Sequence, residues 1–474
     1  MTGRPLVDAL LPGWMNGQRW FGGKGREIRA TRTMVAPIDT GDFTDEPPVW
    51  LHLVTVVYAD GVEHQYFVPL SVHESADDSL DHAFLGVAPT DDGKQAYVYD
   101  ALRDRGATTF WSRLFASGGE RGPLRVVAEP DNAFPAGVSG DVLGTEQSNT
   151  SLVYGDTAIV KFFRRLEPGR NPDVEVHEAL RPLANPHVAA LLGYATCSLT
   201  GLDGAATDAS DDERATVAMT ACFLPVASDG WSLATGSVRD LFAEADLHPN
   251  EVGGDFAAES HRLGAAMATV HADMARVLPT GHGNRQWLTE TAGSMRLRLA
   301  TARAIVPELA EHADAIAATY AAVDRLDAEV NLQRVHGDLH LGQCLRTATG
   351  WVILDFEGEP ARPLAERRAV DSVLKDVAGM LRSFDYAARS LLLEGQEDPQ
   401  RAYRATEWAT RNRDAYCDGY GEVSGHDPRE QFVLLKAMEA DKAVYEAVYE
   451  ARHRPTWLVV PLRSLARITE GDAP

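Results

Sequence analysis

The feature that most constrains the fold of this chain is a change in hydrophobic pattern near Trp231. Before this point, short β-prone runs alternate with turns that contain Gly and Asp; after it, apolar residues recur at helical spacing over long stretches. This change predicts a small β-rich lobe followed by a larger helical lobe. The pattern predicts hairpins over residues 49–58 with 63–70 and 151–154 with 157–163, and long helices over residues 255–278 and 372–393.

The chain has 474 residues, which is too many for one ordinary hydrophobic core. Its hydrophobic pattern predicts three parts: a β-rich unit over residues 1–100, a second β-rich unit over 101–224, and a helical unit over 225–474. Residues 200–214 are rich in Gly, Asp, Ala and Thr, which predicts an exposed loop between strands. The predicted fold class is therefore α+β.

The charge balance argues against polyanionic partners. Forty-five Lys and Arg residues stand against 69 Asp and Glu residues, so the formal net charge is −24. Such a surface repels nucleic-acid backbones and anionic lipid, although it leaves room for a local nucleotide site. The four cysteines are scattered, and neither a signal peptide nor a membrane-spanning run is evident. We therefore expect a cytoplasmic protein with reduced thiols that binds neither nucleic acid nor membranes.

Two segments in the helical part carry the clearest chemistry. The first runs from His336 to Gln343 and holds Asp338 after a short predicted strand; the second, residues 352–358, ends its own strand at Asp355. Asp338 can accept a proton from an attacking hydroxyl, while Gln343 and Asp355 offer hard oxygen ligands that suit Mg²⁺. Each residue alone is typical of a turn or cap, but together they favour phosphoryl transfer.

Upstream, Lys161 lies in an apolar strand-like run. Such a lysine is either an edge residue that reaches water or a phosphate contact, and alone the first interpretation is favoured. Glu175 in the following predicted helix is a candidate ion-pair partner, and Glu178 competes with it. The preceding hairpin lacks phosphate-binding glycines. Its polar tip fits a β-turn or a phosphate contact about equally well, and the candidate phosphate-binding residues there are Ser148, Asn149 and Thr150.

These strings resemble the aminoglycoside-phosphotransferase-like kinases, and among them the maltokinases of actinobacteria. The resemblance rests on His336-Gly-Asp-Leu-His-Leu-Gly-Gln343 with Asp355-Phe-Glu-Gly-Glu-Pro360, and it extends to residues 18–26, 146–151 and 376–386. It implies a bilobal kinase-like fold with an N-terminal cap subdomain over residues 1–100. It also implies ATP-dependent phosphorylation of maltose to maltose 1-phosphate, which feeds α-glucan synthesis.

Transferred residue by residue, the resemblance implies that Asp338 is the catalytic base and that Gln343 and Asp355 bind Mg²⁺. Lys161, with Glu175, would order the ATP phosphates. The wider superfamily usually has Asn at the position of Gln343, and Gln there is typical of the maltokinase branch. Cys344 departs from the usual aliphatic residue, and the linker over residues 221–225 matches loosely, which leaves the adenine contacts unassigned.

A stretch near the C-terminus predicts a sugar-binding helix. Lys442, Tyr445 and Tyr449 fall at helical intervals on roughly one side. Without the resemblance, an ion-paired surface helix with half-buried tyrosines is the better interpretation. Because the string resembles the maltokinase substrate helix, these three residues become the expected sugar contacts, with hydroxyls and an ammonium for sugar oxygens and rings for the pyranose face.

Two other functions remain open from the sequence. The first is a related kinase for an amino sugar such as glucosamine or for an aminoglycoside, which Lys442 disfavours because it would place a cation near an ammonium. The second is a catalytically silent sugar-sensing or scaffold module, which the intact Asp338, Gln343, Asp355 and Lys161 disfavour. Association with a maltose-producing enzyme, and a monomer or small homo-oligomer, are further expectations that the sequence leaves open.

Overall fold

The computed structural model describes residues 3–38, 46–144, 148–199, 213–225, 227–244, 247–360, 362–393 and 398–470. The chain divides into two compact units. The first comprises the described residues up to Glu178 together with those from Ala189 to Pro225. The second comprises Ala179–Val188 and the described residues that follow Pro225. Residues 179–188 belong to the second unit although the chain on both sides of them belongs to the first. The sequence pattern did not indicate this.

The first unit begins with a helix and an antiparallel sheet. The strands are ordered β1-β2-β3-β5-β4, and β11 adds to β3. The predicted hairpin over residues 49–70 is confirmed as β2 and β3, in register from Val49–Ser71 to Val57–Glu63. The elements are α1 (Leu11–Gly17), β1 (Ile28–Pro37), β2 (Val49–Tyr58), β3 (Glu63–His73), β4 (Phe84–Pro89), β5 (Gln95–Asp100) and α2 (Arg105–Ser117).

A second sheet completes this unit, in the order β6-β7-β12-β13-β10-β9-β8. The predicted hairpin at residues 151–163 is confirmed as the antiparallel pair β9 and β10. A core that includes Phe67, Trp111 and Phe162 lies between the sheets and α2. The elements are β6 (Gly119–Arg121), β7 (Leu124–Ala128), β8 (Asp141–Val142), β9 (Asn149–Tyr154), β10 (Ala158–Phe163), β11 (Arg165–Leu166), α3 (Pro172–Leu180), β12 (Leu191–Ser198) and β13 (Arg214–Cys222).

The second unit is mainly helical, with two small sheets, β14-β17-β18 and β15-β16. The elements are β14 (Ala227–Asp229), α4 (Gly230–Ala243), α5 (Ala257–Val277), β15 (Thr280–Gly283), α6 (Arg285–Ile305), α7 (Ala313–Val323), β16 (Val330–Gln333), β17 (Cys344–Thr347), β18 (Trp351–Ile353), α8 (Leu364–Arg367), α9 (Leu374–Ser390), α10 (Pro399–Ser424), α11 (Phe432–His453) and α12 (Val459–Glu470). Two glycines let α5 and α10 pack closely: a Cβ at Gly264 would collide with the Tyr416 carbonyl, and one at Gly419 with the His261 carbonyl.

The two long predicted helices are confirmed as α5 and α9, each with slightly shorter bounds than the pattern indicated. The predicted strand over residues 351–355 ends earlier, at Ile353, because the chain turns before Asp355. Most of the predicted loop over residues 200–214 lies outside the described residues, and its last residue, Arg214, begins β13. Among the described helices, none combines the length and the apolarity that crossing a bilayer requires.

Candidate active site

The loop after β16 is held by one buried carboxylate. Asp376, near the start of α9, accepts hydrogen bonds from the backbone N–H of His336 (2.6 Å) and of Gly337 (2.8 Å). Its Oδ2 also lies 3.0 Å from Nε2 of the buried His271. Gly337 has φ +83°, a conformation that favours glycine, and this turn places Asp338 next in the chain. Asp376 thus fixes the backbone from which Asp338 projects, a role that the sequence analysis did not identify.

The side chain of His336 joins this loop to the segment after β18. The backbone N–H of Asp338 donates to His336 Nδ1 (3.3 Å), and Nε2 lies 2.8 Å from the carbonyl oxygen of Leu354. One ring nitrogen therefore accepts and the other donates, which assigns the neutral tautomer protonated on Nε2. The loop that carries Asp338 and the segment that carries Asp355 are consequently held to each other by a buried ring.

Asp338 pairs with a lysine 104 residues further along the chain. Lys442 Nζ on α11 lies 3.0 Å from Asp338 Oδ1, and each side chain is about a quarter exposed. Burial opposes ionisation of Asp338, but the positive charges of Lys442 and His340 outweigh it and hold the pKa of the carboxyl below its usual value. Asp338 is thus a carboxylate at neutral pH, paired with the Lys442 ammonium, and can accept a proton.

The predicted sugar-contact residues lie on α11 around this pair. Lys442 Nζ lies 5.1 Å from the centroid of the Tyr445 ring. Burial raises the pKa of Tyr445, and the Glu359 carboxylate beside its hydroxyl adds to the shift. Tyr449 lies one turn further on, 41% exposed, with its ring centroid 4.7 Å from that of His453. The structure therefore brings Lys442 and Tyr445 to Asp338 and places Tyr449 at a more exposed position; their contact with a sugar stays a prediction.

Helix α11 is fixed to α9 by a buried ion pair one turn beyond Lys442. Nε and Nη2 of Arg382 donate to Glu446 Oε2 at 2.9 and 2.8 Å, and Arg382 is fully buried. Burial opposes ionisation of Lys442, but the carboxylates of Asp338, Glu359 and Glu446 outweigh it and raise the pKa of the lysine. Lys442 is thus a permanent cation in a largely acidic environment.

Gln343 and Asp355, the predicted magnesium ligands, are in direct contact. Gln343 Nε2 donates to Asp355 Oδ2 at 2.9 Å, and Asp355 has the left-handed φ of +64°, which is rare for a residue other than glycine. A carboxylate oxygen of Glu357 lies within 4.8 Å of one of Asp355. Two carboxylates and an amide fit the hard oxygen ligands that Mg²⁺ prefers, so the donor set suits this ion. Glu357 was not among the predicted ligands.

In the first unit, Lys161 is paired with Asp173 at the start of α3. The Nζ–Oδ2 distance is 3.1 Å, and the side chains are 14% and 2% exposed. Burial opposes ionisation of Asp173, but Lys161 and His177 outweigh it and hold its pKa well below the usual range. The contact with Asp173 was not predicted. Of the two carboxylates that were, Glu178 contacts Arg170, and the role of Glu175 stays a prediction.

The predicted phosphate-binding residues differ in their surroundings. Ser148 is exposed and Asn149 is half-buried at the start of β9. The hydroxyl of Thr150 is buried and accepts a hydrogen bond from Arg164 Nε at 2.9 Å. Arg164 also donates to Asp100 at 2.6 Å, and both side chains of this ion pair are fully buried. The Thr150 hydroxyl therefore has a structural partner, and the expected contacts of Ser148 and Asn149 with phosphates stay predictions.

Taken together, the second unit supplies a carboxylate base on a rigid loop and an oxygen-rich donor set on the adjoining segment. A base that accepts a hydroxyl proton beside ligands for a phosphate-bound cation is the arrangement of a phosphotransferase that acts on an alcohol.

The comparisons with known proteins agree with this arrangement. Residues 144–426, more than half of the chain, match the model of the phosphotransferase enzyme family, and the chain belongs to this family. Residues 14–104 match the maltokinase N-terminal cap domain.

Two proteins of similar sequence are named glucosamine kinases. A glucosamine kinase of Streptacidiphilus jiangxiensis is 30% identical over 71% of this chain and 77% of its own length. A glucosamine kinase of Mycolicibacterium smegmatis (strain ATCC 700084 / mc(2)155) is 28% identical over 69% of this chain and 79% of its own length. These matches support a phosphotransferase of the sugar-kinase kind, while the choice of sugar is not settled by them.

Solved structures share the fold over almost the whole chain. A glucosamine kinase in complex with glucosamine, ADP and inorganic phosphate covers 98% of this chain and 99% of its own, with a TM-score of 0.66 and 23% identity. A second crystal form of a glucosamine kinase covers 94% and 95%, with a TM-score of 0.68 and 24% identity. The predicted fold class, a kinase-like α+β fold with an N-terminal cap, is confirmed.

Proposed function

We propose that this protein is an ATP-dependent sugar kinase that phosphorylates maltose at its anomeric hydroxyl to give maltose 1-phosphate for α-glucan synthesis. The contact of 3.0 Å between Asp338 and Lys442 carries the proposal. It brings the helix whose sequence resembles the maltokinase substrate helix directly to the candidate catalytic base. The cap match over residues 14–104 supports the same assignment.

The chemistry follows from the geometry of the second unit. The anomeric oxygen attacks the γ-phosphorus of ATP while its proton passes to the Asp338 carboxylate; the new P–O bond forms as the bond to ADP breaks. Gln343, Asp355 and Glu357 would hold Mg²⁺, which neutralises phosphate charge when it is bound. The rigid hydrogen bonding of His336 and Asp376 keeps Asp338 in place, so little reorganisation is needed during the transfer.

Glucosamine is the second candidate substrate, and one observation favours it. The buried Glu359 carboxylate acts electrostatically on both Lys442 and Tyr445, so a carboxylate that can pair with an ammonium lies near the candidate sugar contacts. The names of the two relatives point to the same sugar. The nearby Lys442 opposes it, because two cations would then share one small site.

A sugar panel tests the proposal. Purified protein is given ATP and Mg²⁺ with maltose, maltotriose, glucose or glucosamine, and the phosphate position on each product is determined by ³¹P and ¹H NMR. We expect maltose to be the best substrate and its product to carry the phosphate on the anomeric oxygen. Efficient phosphorylation of glucosamine with negligible turnover of maltose would overturn the proposed substrate. The absence of turnover with every sugar would favour the silent scaffold module.

We further propose that the protein acts in the cytoplasm, where ATP is available and where its four free cysteines stay reduced. Association with a maltose-producing enzyme and the oligomeric state stay predictions. Co-elution of the two purified proteins in size-exclusion chromatography with light scattering would test both.

A further inference from the structure

A chain of buried hydrogen bonds leads from helix α10 to the loop that carries Asp338. The hydroxyl of Tyr420 on α10 lies 2.8 Å from Nδ1 of His271 on α5, and Nε2 of the same ring lies 3.0 Å from Oδ2 of Asp376 on α9. Asp376 accepts hydrogen bonds from the backbone N–H groups of residues 336 and 337. The side chains of Tyr420, His271 and Asp376 are all buried. Tyr420 is thus connected to the backbone next to Asp338 through two intervening side chains.

The positions of the protons in this chain follow from the chemistry of its members. Burial opposes ionisation of Asp376, but its contacts with His271 and the backbone of Gly337 outweigh it and hold its pKa below the usual value. An ionised carboxylate only accepts, so Nε2 of His271 donates. Burial raises the pKa of Tyr420, so the phenol keeps its proton. A neutral His271 ring that donates at Nε2 accepts at Nδ1, and the Tyr420 O–H is the donor that meets it.

Close packing of α5 against α10 brings the tyrosine to the histidine. A Cβ at Gly264 of α5 would collide with the Tyr416 carbonyl and lie 2.9 Å from the backbone nitrogen of Tyr420, so only glycine allows this approach. The ring of Tyr420 meets that of His271 edge to face, with 5.8 Å between their centroids. The side-chain amide of Gln333 in β16 donates to the backbone carbonyl of His271 at 2.8 Å. The ring is therefore held from the side of α10, and its backbone from the side of the strand that precedes the catalytic loop.

The proton of the His271 ring matters because only one of its two neutral forms can donate to Asp376. With the proton on Nδ1, the lone pair of Nε2 would face the carboxylate, and two buried acceptors would lie 3.0 Å apart. The Tyr420 hydroxyl stabilises the other form by donating to Nδ1. Without this hydroxyl, Nδ1 is a buried acceptor that has lost its donor, and rotation of the ring or uptake of a second proton relieves that cost. Either change alters the contact with Asp376.

We propose that Tyr420 is a positioning residue for phosphoryl transfer: it keeps His271 in the form that donates to Asp376, and Asp376 fixes the backbone beside Asp338. The inference rests on the proposed function in one respect, the assignment of Asp338 as the base, and it does not depend on which sugar is the substrate. Tyr420 acts through two other side chains. It should therefore affect kcat and leave the KM values for ATP and for the sugar nearly unchanged.

Tyr420→Phe and Tyr416→Phe in the full chain form a matched pair. Both remove one buried hydroxyl from α10, but the Tyr416 hydroxyl has no hydrogen-bond partner among the residues that the structure describes. Kinetics are measured with ATP, Mg²⁺ and maltose, or with glucosamine if the wild type prefers that sugar. We expect Tyr420→Phe to lower kcat about 3- to 10-fold, the range of one buried hydrogen bond, and Tyr416→Phe to keep the wild-type kcat. An unchanged kcat in folded Tyr420→Phe, or an equal fall in Tyr416→Phe, overturns the inference.

A double-mutant cycle tests whether Tyr420 acts through His271. His271→Gln places an amide N–H near the former position of Nε2, and this group donates to Asp376 without a proton whose place depends on Tyr420. Adding Tyr420→Phe to His271→Gln should therefore lower kcat by less than about twofold, below the loss of a whole hydrogen bond. If Tyr420→Phe lowers kcat equally in both backgrounds, the tyrosine acts by another route and the inference is wrong.

The ¹⁵N NMR signals of the His271 ring provide a measurement that needs no turnover. In protein labelled with ¹⁵N-histidine, with the signals assigned by their loss in His271→Gln, we expect a neutral ring protonated on Nε2. A ring protonated on Nδ1 or on both nitrogens contradicts the inference. If the wild type phosphorylates none of the sugars, the proposed function fails, and the spectrum still decides whether Tyr420 holds His271 in the stated form.

Discussion

Each unit of the molecule contains a lysine paired with an aspartate, and the two aspartates differ in how exposed they are. This difference distinguishes an aspartate that supports the fold from one that can act in catalysis. In the first unit, Asp173 is 2% exposed and accepts from Lys161 while also facing His177 at 3.2 Å. In the second unit, Asp338 is 25% exposed, and Lys442 is the only side chain among the described residues that donates to its carboxylate. The first carboxylate is enclosed by Lys161 and His177, and the second is accessible enough to receive a hydroxyl.

An ion pair alone therefore does not identify a catalytic acid or base. Asp173 is buried beside Lys161 and His177, which hold its pKa well below the usual range, so it stays ionised and holds Lys161 in place. Asp338 lies on a loop whose backbone is fixed by Asp376, and one edge of its carboxylate is accessible. We therefore expect substitutions at Asp338 to affect turnover and substitutions at Asp173 to affect stability.

The largest expected effect is on turnover. Asp338→Asn keeps the size of the side chain but removes the group that accepts the hydroxyl proton, so kcat should fall by roughly 10²- to 10⁴-fold. Stability should change by only about 1 kcal/mol, because the side chain is partly exposed. Steady-state kinetics and urea denaturation measure the two quantities on the same preparation. Near-wild-type kcat in a folded variant would remove Asp338 from the mechanism.

The second expected effect is on stability. Asp173→Asn removes the carboxylate that accepts from Lys161 at 3.1 Å in a buried site, and breaking a buried ion pair costs about 3–5 kcal/mol. The free energy of unfolding from urea denaturation should fall by about that amount, well beyond the change in Asp338→Asn. Equal losses in the two variants would contradict the distinction between an enclosed and an accessible carboxylate.

The smallest expected effect concerns the sugar helix. Tyr445→Phe removes the hydroxyl that faces Glu359 but keeps the ring over Lys442. The loss of about 0.5–1.5 kcal/mol should raise the KM for the sugar roughly 2- to 10-fold. Tyr445→Ala should raise it further because the ring is lost as well. Tyr403→Phe, at a 62% exposed tyrosine of α10, is the control; an effect there as large as in Tyr445→Phe would undermine the assignment.

The sequence predicted what depends on local pattern. The hairpins β2–β3 and β9–β10 and the helices α5 and α9 follow from periodicity and turn residues, and Asp338 with Asp355 follows from a family string. The contact between Asp338 and Lys442 spans 104 residues and depends on how α11 packs on α9, which no local pattern encodes.

The functional residues that were not predicted were missed for the same reason: their roles depend on contacts in the folded chain and not on local sequence pattern. Glu359 lies within the string that carried the resemblance, but nothing in its spacing indicates that it is buried and acts on Lys442 and Tyr445. Asp376 looks like an ordinary residue of the first helical turn, and only the fold shows that it holds the backbone of residues 336–337. Asp173 lies in the first turn of α3, where an aspartate is common. Its position in the sequence is therefore explained without the contact with Lys161, and nothing in the sequence indicates that contact.

The pH dependence of kcat/KM in Lys442→Gln tests the account most directly. In the wild type, Lys442 holds the pKa of Asp338 below its usual value against the opposing effect of burial. Without this cation, burial should raise the pKa, so protonation should inactivate the base at a higher pH than in the wild type. We expect the acidic limb of the residual activity in Lys442→Gln to move to higher pH. An acidic limb that stays in place or moves to lower pH would contradict the assignment of Asp338 as the base tuned by Lys442.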